Sequence, residues 1–300
     1  MTPVHVRVPG KVNLALCVGG TDEQGYHELG TVFQAVSLCD EIVAEPLPAG
    51  EFRLAFQGEG AAFLPVDDTN LATRAAKLVA SHYGVDSGVA LTIRKRIPVA
   101  GGMAGGSADA AGTLLACSEL WGIHAPREEL RTLAAQLGSD VPFLLVGGTV
   151  HGTGRGEKLA PIPARGTYHW VFALSHGGLS TPAVFREFDR RSSPRPTQLP
   201  EALVGALLAG DVPGVGAALM NDLQEAAISL QPTLQRTLQL GLDAGALGAI
   251  ISGSGPTCAF LVGDEDEAQR LGQTLAVFSG VRAVRSATGP VAGAQVMIEQ

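Results

Sequence analysis

A glycine-rich stretch in the first half of the chain constrains its fold and chemistry more than any other feature. From Pro98 to Gly112 it reads PVAGGMAGGSADAAG, with four glycines ahead of Ser107 and then a run of small residues that predicts a helix. Glycine lets backbone N–H groups approach an anion, and a helix start leaves unpaired N–H donors that carry about half a positive charge. The stretch therefore predicts a phosphate-binding loop at a helix N-terminus.

Two better-known phosphate loops do not match this stretch. A Walker A loop ends in Gly-Lys followed by Ser or Thr, whereas Gly106 is followed directly by Ser107. A Rossmann fingerprint fails because the glycine spacing is wrong and residues 95–98 separate the stretch from a predicted strand at 89–94. A flexible glycine turn between a strand and a buried helix stays open as the structural alternative.

The composition predicts a globular protein with well-filled cores. The 300 residues suffice for one large or two ordinary domains, and 46% are hydrophobic against 17% charged. The sequence has neither a signal-peptide pattern at its start nor a stretch near the ~20 apolar residues of a membrane span, so we expect a cytoplasmic protein with no membrane partner. The formal net charge of −8 argues against a nucleic-acid partner.

The cysteines and histidines predict neither a disulfide framework nor a zinc site. Cys17, Cys39, Cys117 and Cys258 are far apart without a C-x-x-C pair, and the seven histidines include no H-E-x-x-H arrangement. We expect reduced and mostly buried thiols, none of them a nucleophile. Because the net charge is negative, any nucleotide that binds must be held by the local geometry of its site and not by the overall charge of the protein.

Hydrophobic periodicity predicts mixed strands and helices. Strands are predicted at 4–8, 12–18, 41–45, 51–56, 89–94, 169–174, 249–252, 257–262 and 282–286. Helices are predicted at 70–83 after a capping segment at 67–69, at 107–121, 127–137, 181–189, in the region up to 244, and at 264–278. A glycine-rich segment at 147–156 ends the first half, and 190–200 reads as an exposed proline-rich loop. This order suits an α+β sandwich, with helix 107–121 central and buried.

Three separated glycine-bearing motifs need one explanation. They are PGKVNL at 9–14, the stretch 98–112, and ISGSGPT at 251–257. Together they resemble motifs one, two and three of the GHMP small-molecule kinases, over essentially the whole chain. The resemblance implies a two-domain α+β fold with the active site between the domains. An N-terminal ATP-binding domain similar to ribosomal protein S5 domain 2 would span 1–156, and a ferredoxin-like C-terminal domain would span 157–300.

Further motifs narrow the resemblance. GYHEL at 25–29, TVFQ at 31–34, DE at 40–41, GSDVPF at 138–143 and GRGE at 154–157 are similar to those of the GHMP kinases that act on 4-diphosphocytidyl-2-C-methyl-D-erythritol. The resemblance implies ATP-dependent phosphorylation of the 2-hydroxyl of this small molecule, in the methylerythritol phosphate (non-mevalonate) route to isoprenoid precursors. We expect a monomer or a weak homodimer.

The resemblance assigns catalysis to Lys11 and Asp140. Asp140 matches the family's catalytic aspartate and would be the general base for the acceptor hydroxyl, whereas a helix N-cap before Pro142 is the structural alternative. Lys11 matches the catalytic lysine. Its charge would lower the pKa of the hydroxyl, keep Asp140 ionised and stabilise the phosphoryl charge, whereas a solvated lysine at a strand edge is its alternative.

The resemblance also implies an acceptor site made of Asn13, Tyr26, His27, Thr181 and Phe185. The rings of Tyr26 and Phe185 would sandwich the cytosine, while an amide and a neutral imidazole read its polar edges. Thr181 would hydrogen-bond to the substrate. A surface or capping role for His27, core packing for Phe185 and a helix N-cap for Thr181 are the structural alternatives.

The resemblance places ATP on the glycine-rich loop. The residues expected there are Pro98, Val99, Ala100, Gly101, Gly102, Met103, Ala104, Gly105, Gly106, Ser107 and Ala108. Ser107 would offer its hydroxyl to a phosphate or to the Mg²⁺ that accompanies ATP. The sequence names no metal-binding carboxylate, because Asp109 suits the helix dipole at least as well. Asn70 and Lys95 resemble positions near the adenosine.

The chain departs from the family pattern mildly. Met103 and Ala104 replace Leu-Gly, Ala108 replaces a second serine, and Arg186 stands where some relatives have lysine. Two other functions stay open. One is a GHMP kinase acting on homoserine or mevalonate, which needs no aromatic pair for a base. The other is a non-catalytic nucleotide-binding module, against which the retained catalytic residues argue.

Overall fold

The order of strands and helices follows the periodicity of the sequence closely. The computed structural model describes residues 2–192 and 197–297. Its strands are β1 (Val4–Thr21), β2 (His27–Leu47), β3 (Phe52–Gly58), β4 (Gly88–Lys95), β5 (Thr149–Thr153), β6 (Lys158–Pro161), β7 (Tyr168–Ser175), β8 (Met220–Asn221), β9 (Gly248–Ile251), β10 (Cys258–Val262), β11 (Val281–Gly289) and β12 (Gln295–Val296). Its helices are α1 (Leu71–Tyr83), α2 (Gly105–Leu120), α3 (Arg127–Ala135), α4 (Val141–Val146), α5 (Thr181–Arg191), α6 (Glu201–Ala209), α7 (Val212–Ala217), α8 (Gln224–Leu230), α9 (Thr233–Asp243) and α10 (Glu265–Ala276).

The larger sheet is built on the antiparallel pair of β1 and β2. Its strands lie in the order β12-β1-β2-β4-β3, with β5 paired to β2, β6 to β5 and β8 to β1. Residues 4–18 form one strand rather than the two predicted, because β1 continues through a shift of register between Pro9 and Gly10. The glycine-rich segment 147–156 likewise contains a strand, β5, instead of only ending the first half.

Helix α2 lies in the core of the first half, as its apolar sequence predicts. Ala110, Ala111 and Leu114 are fully buried. A Cβ at Gly112 would lie 2.1 Å from Cδ1 of Ile42, so glycine lets α2 pack directly on β2. This packing fixes the helix N-terminus at the end of the loop 98–104.

Helix α1 is capped by a different residue from the one predicted. Oδ1 of Asn70 accepts the hydrogen bond from the backbone N–H of Ala72, at 2.8 Å. In the predicted capping segment 67–69, Asp67 accepts from the N–H of Thr69 at 2.9 Å. The predicted cap is wrong because Asp67 closes a turn of its own ahead of the helix.

The second half of the chain forms an antiparallel sheet in the order β11-β7-β10-β9. Alternate residues of β7 point to opposite faces. Trp170 and Phe172 pack into the core of the larger sheet, whereas Val171 and Ala173 pack into a smaller core shared with α5, α9 and α10. The predicted strands near 169–174, 249–252, 257–262 and 282–286 and the helix near 264–278 are confirmed. The α+β class is confirmed with them.

The division of the chain at residue 156 stays a prediction. Four later strands form the second sheet, but β6 pairs with β5, and β8 and β12 pair with β1, in the first. The predicted loop 190–200 begins later than expected, because α5 continues through Arg191, and residues 193–196 of that prediction lie outside the described residues.

The four cysteines agree with the expectation of reduced and mostly buried thiols. Cys17, Cys39, Cys117 and Cys258 are all free and buried. Burial raises the pKa of the Cys258 thiol to about 12, so this group stays protonated at neutral pH. Over the described ranges, the structure contains no helix with the length and apolar character needed to cross a membrane.

Candidate active site

The glycine-rich loop 98–104 turns sharply between β4 and α2. Ala100, Gly102 and Ala104 have positive φ angles of 54°, 71° and 59°. A Cβ at Gly102 would lie 2.1 Å from the carbonyl oxygen of Ser252, so this close approach requires glycine. The Ser252 hydroxyl donates a hydrogen bond to the Gly102 carbonyl at 3.1 Å. Motif 251–257 therefore supports the loop, which is not an isolated flexible turn.

A cleft of about 530 Å³ opens over this loop and the N-terminus of α2. The expected nucleotide-binding residues that line it are Pro98, Val99, Ala100, Gly101, Gly102, Ala104, Gly105 and Gly106. Met103 and Ala108 are instead fully buried in the core, and Ser107 lies half-buried beside the cleft lining. Among the described residues none has an atom within 4 Å of a Cβ placed at Gly106, so the helix start is open at this point.

A second cleft of about 990 Å³ adjoins the first. Both clefts are lined by Leu29, Ser139, Arg155, Thr181 and Phe185. The second cleft continues to the predicted acceptor residues at 26 and 27. One cavity therefore runs from the phosphate loop to the aromatic residues, so that two substrates could meet within it.

The predicted catalytic residues meet on the floor of the first cleft. Strand alternation puts Lys11 and Asn13 on the same face of β1. Nζ of Lys11 donates to Oδ1 of Asn13 at 2.6 Å and lies 3.9 Å from Oδ2 of Asp140. The amide of Asn13 in turn donates to Oγ1 of Thr31 at 2.9 Å. The lysine is thus buried and oriented, which excludes the solvated strand-edge alternative.

Asp140 keeps its carboxylate free of helix capping. It precedes α4 in an α-helical conformation, and among the described residues its side chain makes no capping hydrogen bond. Asp140 thus stands at the N-cap position that the alternative expects, but its side chain does not cap the helix. Burial lowers the pKa of Lys11, and the negative charge of Asp140 opposes that shift. The Lys11 ammonium therefore lies in a partly dry site with the Asp140 carboxylate as its nearby charged partner.

Phe33 was not predicted as a site residue, although it lies in the motif TVFQ. Nζ of Lys11 lies 5.6 Å from the centroid of its ring. An ammonium at this distance is attracted by the ring's negative face. The pairing of Asn13 on β1 with Phe33 on β2 brings the ring close to the lysine. The sequence alone does not predict this pairing.

Tyr26 lies at the mouth of the second cleft, where its side chain is 56% exposed. The guanidinium carbon of Arg155 lies 3.9 Å from the centroid of its ring. Arg155 is held there by Asp22 and Gln24, at 2.8 and 2.6 Å. Arg155 belongs to the motif GRGE, but the sequence does not predict its contact with Tyr26. The structure therefore adds Arg155 to the predicted site.

His27 is held by the protein on both sides. Its Nδ1 lies 2.8 Å from the carbonyl oxygen of Gly19, and its Nε2 lies 3.0 Å from Oδ1 of Asp189. Phe185 stacks on the His27 ring with centroids 5.3 Å apart. Both ring nitrogens are therefore occupied by protein contacts, so His27 could read a base only if one of these contacts opened.

Thr181 lies in the first turn of α5, beside the junction of the two clefts. The helix is preceded by Ser180 as its cap residue, so the predicted alternative of an N-cap at Thr181 is wrong. The Thr181 hydroxyl instead lies 2.8 Å from the hydroxyl of Ser254. Motif three is held on its other side by Asn221, whose amide donates to the carbonyls of Ile251 and Gly253 at 2.7 and 2.8 Å.

Comparisons with known proteins agree with this geometry. The profile described as GHMP kinases N terminal domain matches residues 70–148, and that of GHMP kinases C terminal matches residues 203–278. A Mycolicibacterium smegmatis protein named 4-diphosphocytidyl-2-C-methyl-D-erythritol kinase is 55% identical, over 98% of this chain and 92% of the relative. The chain belongs to the family of 4-diphosphocytidyl-2-C-methyl-D-erythritol kinases within the GHMP kinases.

Other members of this kinase family support the assignment. The Streptomyces avermitilis protein of the same name is 54% identical, over 98% of this chain and 99% of the relative. A crystal structure of 4-(cytidine 5'-diphospho)-2C-methyl-D-erythritol kinase is 35% identical with a TM-score of 0.75, over 94% of this chain and 98% of that chain. The predicted GHMP kinase fold is confirmed, and family membership makes the chain an ATP-dependent kinase.

Proposed function

We propose that this chain transfers the γ-phosphoryl group of ATP to the 2-hydroxyl of 4-diphosphocytidyl-2-C-methyl-D-erythritol, giving the 2-phosphate and ADP. The observation that carries the proposal is the meeting of Lys11 and Asp140 in the first cleft, beside Ser139, which lines both clefts. The reaction belongs to the methylerythritol phosphate route to isoprenoid precursors. Homoserine and mevalonate, the acceptors of the rival kinases, have no base to stack on Tyr26.

Asp140 is the proposed general base. Its carboxylate accepts the proton of the 2-hydroxyl as the hydroxyl oxygen attacks the γ-phosphorus, and the bond from that phosphorus to the bridging oxygen breaks to release ADP. The side chain is 30% exposed and faces the cleft, so a substrate hydroxyl can reach it. A positioned base of this kind contributes about 10²–10⁴ to the rate.

Lys11 is the proposed electrostatic partner. An ammonium removed from water acts more strongly on nearby anionic oxygens than a solvated one does. Asn13 fixes its Nζ through the hydrogen bond of 2.6 Å, so little reorganisation is needed when charge develops. Its charge would also favour the ionised form of the acceptor hydroxyl.

ATP is proposed to lie in the first cleft, with its phosphates at the N-terminus of α2 and Mg²⁺ bound to them. Over the described residues, no group of three or more His, Cys, Asp or Glu side chains could hold a metal. This fits Mg²⁺, which takes phosphate oxygens and waters and needs few protein ligands. When bound, the ion neutralises phosphate charge. Ser107 is the residue of this chain that we propose as its ligand or as a phosphate donor.

The cytidine of the acceptor is proposed to occupy the second cleft. The exposed face of Tyr26 offers a stacking surface, and Phe185 and Thr181 line the same cleft. The predicted sandwich of Tyr26 and Phe185 stays a proposal. Arg186 also lines this cleft, and we propose that it meets the diphosphate. The monomer or weak homodimer and the cytoplasmic location stay predictions.

The variant Asp140→Asn tests this mechanism. Turnover should fall by about 10² or more while the affinity for ATP stays nearly unchanged, because the amide cannot accept the proton. Asp243→Asn, at the exposed end of α9, is the matched control and should behave as the wild type. Wild-type turnover in Asp140→Asn would remove the base assignment, and ATP binding without any transfer by the wild type would favour a non-catalytic module.

A further inference from the structure

Three ionisable side chains meet beneath the phosphate loop, where Lys95 and Asp109 also line the first cleft. Nζ of Lys95, the last residue of β4, donates to Asp40 on β2 and, at 2.7 Å, to Oδ2 of Asp109 on α2. The three side chains are 2%, 0% and 4% exposed. Charges buried this deeply persist only when they are paired, so each member depends on the others.

The contacts of this cluster reach both ends of the loop 98–104. Oδ1 of Asp40 accepts from the backbone N–H groups of Arg96 and Ile97, at 2.6 and 2.8 Å, just before the loop begins. At the other end, Nζ of Lys95 lies 3.3 Å from the carbonyl oxygen of Gly105, the first residue of α2. One ammonium group therefore joins the chain ahead of the loop to the helix that follows it.

The charge of the cluster is compatible with phosphates above it. Burial raises the pKa of Asp109 to about 8, and the nearby Lys95 ammonium opposes that shift. Its Oδ1 is buried without a hydrogen-bond partner among the described residues. A carboxyl group with a raised pKa carries less negative charge at neutral pH, so the cluster repels ATP less than two full carboxylates would.

We propose that Lys95 is a positioning residue for ATP, whose ammonium, through Asp40 and Asp109, holds both ends of the phosphate loop so that the N-terminus of α2 meets the phosphates. The inference rests on the proposed ATP site. Lys95 acts through the loop and not on the reacting atoms. His27 of the acceptor cleft lies on β2 together with Asp40, but among the described residues none that lines this cleft hydrogen-bonds to the cluster, so Lys95 acts mainly on the nucleotide.

The test compares two variants with a matched control. Lys95→Met removes the ammonium, and Asp109→Leu removes only the link to α2 while the buried pair of Lys95 and Asp40 stays intact and preserves the fold. Lys77→Met, which breaks an exposed pair with Asp68, is the control. MgATP binding is measured by calorimetry, KM for each substrate by steady-state kinetics, and backbone mobility by hydrogen exchange.

In both variants we expect the Kd for MgATP to rise tenfold or more, the KM for the acceptor to stay within twofold, and exchange to accelerate at 98–108 but not at 26–34. If Lys95→Met does not fold, the same result in Asp109→Leu alone supports the proposal. Unchanged MgATP affinity in a folded Asp109→Leu overturns it, as does an equal loss for both substrates. If the wild type itself does not bind MgATP, the proposed ATP site is wrong, and this result differs from any result that refutes the role of Lys95 alone.

Discussion

Gly102 in the phosphate loop and Gly106 at the start of α2 are glycine for different structural reasons, and alanine substitutions distinguish these reasons. Gly102 has a φ of 71° and would place a Cβ 2.1 Å from the carbonyl oxygen of Ser252. Gly106 lies in the first turn of α2, where a Cβ meets open space. Gly102→Ala should therefore damage the fold, whereas Gly106→Ala should disturb only a phosphate group that occupies that space.

The expected losses follow from these contacts. The left-handed backbone costs a non-glycine residue about 1–2 kcal/mol, and overpacking costs about 1–3 kcal/mol, so Gly102→Ala should lower the free energy of unfolding by about 2–5 kcal/mol. For a chain of this size the Tm should fall by about 5–15 °C. Gly106→Ala should leave Tm within about 2 °C, because alanine is the better helix former. It should raise the KM for ATP about 10- to 100-fold, the value of one hydrogen bond to a charged group.

Scanning calorimetry gives the Tm, and steady-state kinetics give the KM for ATP. Gly50→Ala is the matched control, because Gly50 has a φ of 75° but open space around its Cβ, so it isolates backbone strain of about 1–2 kcal/mol from the clash. The reasoning is refuted if Gly102→Ala is as stable as Gly50→Ala, or if Gly106→Ala keeps the wild-type KM for ATP.

Three further predictions concern the catalytic pair, the acceptor cleft and the buried cluster. Lys11→Met should lower kcat by roughly 10²–10³, because a preorganised cation is lost, and single-turnover kinetics showing an unchanged chemical step would contradict this. Tyr26→Ala should raise the KM for the cytidyl acceptor about tenfold or more through lost base stacking and leave that for ATP unchanged, and equal KM values for wild type and variant would remove the stacking role. Burial raises the pKa of Asp109 from 3.8 to about 8, so the folded protein binds a proton that the unfolded chain releases, and the free energy of unfolding should fall as pH rises between these values. Urea titrations from pH 5 to 8 should show a shallower slope for Asp109→Asn, and the wild-type slope in that variant would contradict the assignment.

The elements of the fold were predictable because their patterns are local. The run of small and apolar residues in α2 indicates a helix buried on all sides, and the alternation along β1 indicates a strand, although the structure buries β1 on both faces from Val8 to Val18. The cap of α1 was mispredicted, because whether Asp67 or Asn70 turns toward the helix depends on side-chain geometry and not on residue type. The strand β5 was missed, because its glycines read as a turn until β2 pairs with it.

Some residues of the candidate site could likewise be predicted from short motifs, whereas others could not. Lys11 and Asp140 were identifiable from short motifs, although 3.9 Å between their side chains is a fact of the tertiary fold. Arg155 over Tyr26 and the cluster around Lys95 depend on residues distant in sequence, and no local pattern marks them. Their partners become visible only when the strands are paired and α2 is packed.

ATP-dependent transfer to 4-diphosphocytidyl-2-C-methyl-D-erythritol tests the central claim most directly. The acceptor is compared with free methylerythritol, homoserine and mevalonate under the same conditions, and the product is followed by phosphorus NMR. We expect a new phosphomonoester signal with the cytidyl compound alone, together with ADP in equal amount. Transfer to another acceptor in preference to the cytidyl compound, or no transfer to any of them, would contradict the account.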